Sequence, residues 1–256
     1  MTYSPPAPFD TLFTDQGYSG TYGTDWGGKA SMASINGGRV VPDSADIANL
    51  EALYDGEIAF VDRNIGRLVT VLREHDLTSN TWFIITADHG EEFYEHHGIG
   101  HGHTLYQELI SIPLIIAGPG INQDADTNAV AAQIDVLPTV LSICGFEVPE
   151  WTEGQDILSS DRNSSVRDVF SSFLTSFGPW VAVRRGDAKL HWIQGTDASM
   201  QFDLENDPQE ASMLAEVDST LLDSAFWYWA TPPAGHPSPV DMEQAMINAL
   251  RGLGYL

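Results

Sequence analysis

The chain has 256 residues, room for one large domain or a large domain with a small one, and 43% of it is hydrophobic, enough for a real core. Its formal net charge of −25, from 36 acidic against 11 basic residues, excludes nucleic acid and anionic membranes as partners, because phosphate binding needs clustered Lys and Arg. No apolar run approaches the roughly 18 residues needed to cross a bilayer. Met1-Thr2-Tyr3-Ser4-Pro5-Pro6 has neither the basic start nor the apolar centre of a signal peptide. The expectation is a soluble protein, cytoplasmic in a high-salt organism, where screening over about 3 Å at 1 M ionic strength tames self-repulsion. The scarcity of lysine, with only Lys29 and Lys189, agrees with that.

Residues 1–42 are rich in Gly, Pro, Ser and Thr and read as an ordered but irregular excursion, with a Gly-rich stretch at 17–38. A helix is predicted to start at Asp43 or Ser44, both good N-caps, and to end near Glu74 and His75. Ile47, Leu50, Tyr54, Ile58, Val61, Ile65, Leu68 and Leu72 recur along it at three- and four-residue steps, one apolar stripe. The runs Trp82–Ala87 and Ile112–Ala117 lack polar alternation and read as strands covered on both faces of a mostly parallel sheet. Residues 134–144 read as a helix with Pro138 in its first turn. The single cysteine, Cys144, ends that helix in an apolar setting and is expected to be a buried structural thiol. Helix, strand, loop, strand, helix is an α/β order. Beyond about residue 160 the character changes. Val166–Phe173, Trp180–Arg184 and Lys189–Ile193 read as short antiparallel strands, with a turn at Gly186-Asp187. Phe202–Pro208 reads as turn-rich, and a final helix is predicted over Asp241–Arg251.

Five of the eight histidines, His89, His96, His97, His101 and His103, fall just after the first strand. In parallel α/β sheets, ligands bind beyond the carboxyl ends of the strands. Asp88 offers a hard anionic oxygen there and His89 a nitrogen, a mixture that several divalent metals accept, with Gly90 supplying the turn that lets both reach one ion. The alternative is a polar surface loop that meets only water. His101 and His103 alternate with Gly100 and Gly102, which free the backbone to bring an imidazole toward an ion or substrate, and such a group can donate a proton near neutral pH. His96 and His97 read as flanking polar loop. Glu91, Glu92 and Glu95 are expected to open a following helix, where negative charge suits the N-terminal dipole.

Thr86-Ala87-Asp88-His89-Gly90-Glu91, then Gly100-His101-Gly102-His103-Thr104-Leu105-Tyr106-Gln107-Glu108, then Ile112-Pro113-Leu114-Ile115-Ile116 and Gly118-Pro119-Gly120, resemble the sulfatase family of the alkaline-phosphatase superfamily. Tyr54–Ile58, Val61-Asp62, Gln133–Thr139, Arg184–Leu190, Phe202–Glu210 and Leu250–Leu256 resemble it too. The resemblance implies an alkaline-phosphatase-like α/β fold: a mixed, mostly parallel sheet flanked by helices over residues 1–160, and a small C-terminal antiparallel α+β subdomain over 161–256. It implies a divalent metal, Ca2+ with Mn2+ or Mg2+ as alternatives, held by four side chains, two of them Asp88 and His89. It implies a Cys or Ser converted to formylglycine as nucleophile, and a downstream Lys or His at the sulfate or leaving group. His101, five residues before Tyr106, matches that position best, and His103 is second.

The sequence departs from the family in lacking an Asp-Asp pair and any Cys-x-Pro or Ser-x-Pro-x-Arg nucleophile motif. The chain therefore resembles the C-terminal portion of a sulfatase, expected to have little turnover alone. Its expected partners are a small sulfate ester, and either further copies of itself or an N-terminal half. A phosphodiesterase or phosphonate monoesterase of the same superfamily is the alternative activity, and a non-catalytic remnant or binding module the alternative class.

Overall fold

Asp43 ends an extended approach and starts the longest element, α2 (Ser44–Glu74), which follows α1 (Lys29–Asn36). Its carboxylate accepts from the Ala45 and Asp46 backbone N–H groups, and Asp46 accepts from that of Asp43 in return. This reciprocal cap satisfies donors that a helix start leaves unpaired. The structure is a computed structural model, and it describes residues 3–23, 29–121, 130–159, 166–175, 178–196 and 199–231. The helix predicted over Asp241–Arg251, the Leu250–Leu256 segment and part of the Gly-rich stretch lie outside the described residues.

Two compact units are present, Met1–Thr127 with Leu204–Ser212, and Asn128–Asp203 with Met213–Leu256. In the first, Leu50 and Leu53 of α2 are buried with Tyr3, Tyr22, Ile35 and Ile99. Further along α2 the predicted stripe is only partly covered: Ile58, Val61 and Leu68 are about half exposed, while Ile65 and Leu72 are half-buried. The predicted strands form as β1 (Phe83–Thr86) and β4 (Leu114–Ala117). Between them lie the two-residue strands β2 (Glu92–Phe93) and β3 (Ile99–Gly100), and a single helical turn, α3 (Gln107–Ile110).

The mixed α/β class read from the sequence is present, but β1 and β4 pair antiparallel, Phe83 opposite Ala117 and Thr86 opposite Leu114. A parallel pair needs a crossover that carries the chain back to the first strand's start. The connection here instead folds into a hairpin and one turn at the far end of β1. The strands are only partly covered, with Ile115 exposed, so their unbroken apolar character is not matched by burial among the described residues.

In the second unit, a 3-10 turn at Gln133–Asp135 leads into α4 (Val136–Ile143), with Pro138 in its first turn as expected. Asp135 is fully buried and accepts from Ala132 N, Gln155 N and the Arg167 guanidinium. Cys144 is exposed rather than buried. The packed face of α4 runs through Pro138 and Thr139, whereas Leu137 and Val140 face outward, so the helix end carries the thiol to the surface.

A four-stranded antiparallel meander comes next: β5 (Asp168–Thr175), β6 (Gly178–Arg185), β7 (Ala188–Ile193) and β8 (Ser199–Asp203). Gly186, at φ 61°, makes the predicted β6–β7 turn. Strand β8 begins before the segment read as turn-rich. Helix α5 (Ser219–Ala230), not among the predicted elements, is capped by Asp218 and lays Leu221 and Ala225 on Val181, Val183, Leu190 and Trp192. No helix among the described residues is long and apolar enough to cross a membrane.

Replacing Asp43 by Ala is expected to cost about 1 kcal/mol of stability, measured by chemical denaturation. An unchanged midpoint would contradict the capping role.

Candidate metal and catalytic site

The chain leaves β1 through Ala87 and turns at once. Asp88 Oδ1 accepts from the His89 backbone N–H at 3.1 Å, and Asp88 Oδ2 lies 3.6 Å from His89 Nε2. His89 Nδ1 lies 2.8 Å from the Gly90 carbonyl oxygen. A carbonyl only accepts, so Nδ1 carries the hydrogen and the lone pair of neutral His89 sits on Nε2, beside the Asp88 carboxylate. Two ligand atoms 3.6 Å apart can share one ion at the roughly 2.0–2.6 Å usual for metal–nitrogen and metal–oxygen contacts. The donor chemistry of this pair thus fits a divalent cation. Gly90 is required for close approach rather than for a special φ: a Cβ there would lie 2.0 Å from the Glu108 carbonyl oxygen.

Beyond Gly90 the expected helix does not form. Residues 92–93 pair antiparallel with 99–100, Glu92 opposite Gly100 and Phe93 opposite Ile99. One step further in that register sets Glu91 across from His101, and Glu91 Oε2 meets His101 Nδ1 at 2.9 Å. Successive strand residues face opposite sides. Glu92 therefore turns inward, where it is completely buried. Its Oε1 accepts from Gly98 N at 2.6 Å and His96 N at 3.0 Å, and its Oε2 lies 2.6 Å from His103 Nε2. A Cβ at position 98 would stand 2.3 Å from His103 Nε2 and displace the Glu92–His103 pair. The turn is tight, with Tyr94 and His97 both at positive φ and Gly100 and Gly102 at 87° and 78°. Asn36, at the end of α1, clasps Ile99 by exchanging two hydrogen bonds with its backbone.

The sequence's histidines thus divide. The His89 and His101 rings lie side by side, centroids 4.0 Å apart and tilted by 32°. With Glu91 they offer ligand atoms all within 4.8 Å of one another. His103 is held by Glu92 and does not join that group. His96, read as polar loop, lies flat on Tyr106 at 3.6 Å with its Nδ1 2.6 Å from Glu108. Glu91 and Glu92, read as a helix start, are the residues that sequence reasoning missed. No pattern within this stretch signalled their pairing, because the partners of the two carboxylates are set by the hairpin register and by the turn of the backbone at Gly102, φ 78°.

Charge is governed by this geometry. Burial alone pushes the Glu92 carboxyl up, but the hydrogen bonds from His103, Gly98 and His96 outweigh it and hold the group below its ordinary value. Burial pushes the His103 imidazole down, but Glu92 outweighs that and raises it. Burial raises the Glu108 carboxyl despite His96 beside it.

An Asp-His pair just beyond β1, a histidine-bearing hairpin and an antiparallel meander accord with the alkaline-phosphatase-like superfamily. Within it, this chain belongs to the sulfatase family, whose model matches residues 10–146. A second model, for the C-terminal region of N-sulphoglucosamine sulphohydrolase, matches residues 95–221. Arylsulfatase K of Mus musculus is 28% identical over 186 residues, covering 66% of this chain and 33% of the relative. The sulfatase YidJ of Escherichia coli (strain K12) is 34% identical over 182 residues, covering 66% and 36%. Among solved structures, a putative sulfatase from Bacteroides thetaiotaomicron aligns with a TM-score of 0.68 at 20% identity, over 91% of this chain and 55% of that one. The phosphonate monoester hydrolase SpPMH from Silicibacter pomeroyi aligns with a TM-score of 0.63 at 21% identity, over 90% and 54%. The chain spans about a third of the length of the curated relatives it matches.

The Glu92–His103 pair makes stability depend on pH in both directions. Folded Glu92 binds its proton less readily than unfolded Glu92, so its contribution is lost as pH falls through its lowered value. Folded His103 binds its proton more readily, so its contribution is lost as pH rises through its raised value. Both are fully present between the ordinary carboxylate and imidazole values, about pH 4.5 to 6.5. In thermal unfolding from acid to alkaline pH, the advantage of the wild type over His103→Gln is expected to peak in that window. A pH-independent advantage would contradict the ion pair.

Proposed function

We propose that this chain carries part of the catalytic site of a sulfuric ester hydrolase. The observation that carries this reading is the Asp88 Oδ2–His89 Nε2 pair just beyond β1, with the His101 ring against His89, in a chain of the sulfatase family. Asp88 and His89 are the residues that would hold a divalent cation, Ca2+ with Mn2+ or Mg2+ as alternatives. Such a cation supplies positive charge to the ester oxygens and their developing negative charge. His101 is the proton donor to the leaving oxygen: with Nδ1 turned to Glu91, its Nε2 is the nitrogen left for substrate. His103, the second candidate, acts one step back by holding Glu92. The sequence contains no Cys-x-Pro or Ser-x-Pro-x-Arg segment, so we assign the nucleophile and the remaining metal ligands to residues outside it.

The partly covered stretch of α2 through Ile58, Val61 and Leu68 supports the same inference, since a partner half of the core would cover it. The substrate we favour is a small sulfate ester. A solved neighbour, BT4656, is in complex with its substrate D-glucosamine-2-N,6-O-disulfate. A net charge of −25 gives no long-range attraction for a polysulfated chain. The same charge, with only two lysines, supports a high-salt setting. The likeness to a phosphonate monoester hydrolase supports a second reading, cleavage of a phosphonate or phosphate ester at the same site.

The test compares 4-nitrophenyl sulfate with 4-nitrophenyl phenylphosphonate, in Ca2+, using the chain joined to a sulfatase N-terminal segment that carries a matured nucleophile. Sulfate is expected to be preferred, with activity abolished by Asp88→Ala and reduced at least ~10²-fold by His101→Ala. Preference for the phosphonate would favour the second reading. Robust sulfate hydrolysis by the 256 residues alone would overturn the assignment of the nucleophile.

A further inference from the structure

We propose that Glu91, itself braced by Tyr3, is the positioning residue that fixes the ring orientation and tautomer of His101. This deepens the reading of His101 as a proton donor and rests on it for its functional meaning. The Glu91 side chain is 6% exposed and spends both oxygens inside the protein. Its Oε1 accepts from the Tyr3 hydroxyl at 2.5 Å, and its Oε2 faces His101 Nδ1 at 2.9 Å. A carboxylate has no hydrogen to give, so His101 Nδ1 must carry one. The proton that neutral His101 lacks is then the one on Nε2, the nitrogen turned away from Glu91.

Tyr3 is suited to brace the carboxylate because it cannot move or ionise easily. It is buried in the core of the first unit, edge-on to Tyr54 at 5.7 Å and tilted against Phe93 at 5.8 Å. Burial first, and then the charge of Glu91, push its phenol well above the ordinary range, so it remains a donor. The chain of contacts therefore runs from a packed aromatic cluster, through one buried carboxylate, to one partly exposed imidazole. Phe93 belongs to β2, which pairs with β3 immediately before His101, so the same short hairpin fixes both ends.

Glu91 also stands within reach of a cation shared with His89 and His101. The engagement of both its oxygens by protein donors assigns it to orientation instead. In the same way His89 has its own partner for Nδ1, the Gly90 carbonyl, and does not depend on Glu91. The two adjacent imidazoles thus have independent anchors, and loss of one anchor is expected to release one ring only.

The experiment is long-range 1H–15N spectroscopy of the histidine rings of the full chain, near neutral pH and without metal or substrate. In the wild type, His101 is expected to be the Nδ1–H tautomer. Glu91→Ala is expected to release it to a mixture dominated by Nε2–H, with the His89 and His103 tautomers unchanged. Glu91→Gln, whose amide oxygen still accepts a hydrogen bond, is expected to restore most of the wild-type pattern. Tyr3→Phe is expected to broaden the His101 resonances without changing those of His103. An Nε2–H tautomer of His101 in the wild type would overturn the proposal whether or not any variant folds. So would an unchanged His101 pattern in Glu91→Ala. Since no turnover is read, failure here is distinct from failure of the hydrolase assignment, which only the ester assays decide.

Discussion

The buried carboxylate of Glu92 is the contact on which the site loop depends. An ionised group with no solvent access is tolerated only where charge and hydrogen bonds replace the water it has lost. Here the replacements come from three places in the adjoining turn: the His96 and Gly98 backbone N–H groups and the His103 imidazole. Each of these draws a separate part of residues 96–103 inward. Tyr94 and His97 adopt positive φ, a strained state for side-chain-bearing residues, and the bonds to Glu92 offset that cost. Breaking such a pair by removing one partner costs about 3–5 kcal/mol, because the other charge is left buried alone.

With the turn drawn inward on one side, Glu91, just before β2, turns to the other. Glu91 and Glu92 are adjacent, so they point apart, and each takes one histidine of the Gly-His-Gly-His run. His103 goes to the inner carboxylate and serves the fold. His101 goes to the outer one and lies against His89 just beyond β1. Two chemically identical side chains two residues apart thus meet different carboxylates. Gly100 and Gly102 supply the left-handed conformations that let the backbone pass between them.

Much of this was legible in the residues. The cap at Asp43, the length of α2, both strands of the first unit and the turn at Gly186 arise from local chemistry that tertiary contacts reinforce. The sulfatase resemblance marked Asp88, His89, His101 and His103; His89 and His101 lie side by side, while His103 is held apart by Glu92. The features that escaped depended on partners distant in sequence. The pairing direction of β1 and β4 is set by how residues 87–113 fold back, which no pattern within either strand encodes. Glu91 and Glu92 looked like a helix start because acidic residues after a turn usually are. Their true partners lie about ten residues on, and for Glu91 also at Tyr3. The exposure of Cys144 turns on which face of α4 packs, and an apolar segment such as Val140–Gly145 presents no polar face from which to tell.

The carboxyl 13C shift of Glu92, followed from neutral to acid pH, tests the buried ion pair most directly. Glu92 is expected to titrate below the range of ordinary glutamates, and His103→Gln is expected to move its titration upward. Titration of Glu92 at or above the ordinary value in the wild type would contradict the pair and the loop geometry built on it.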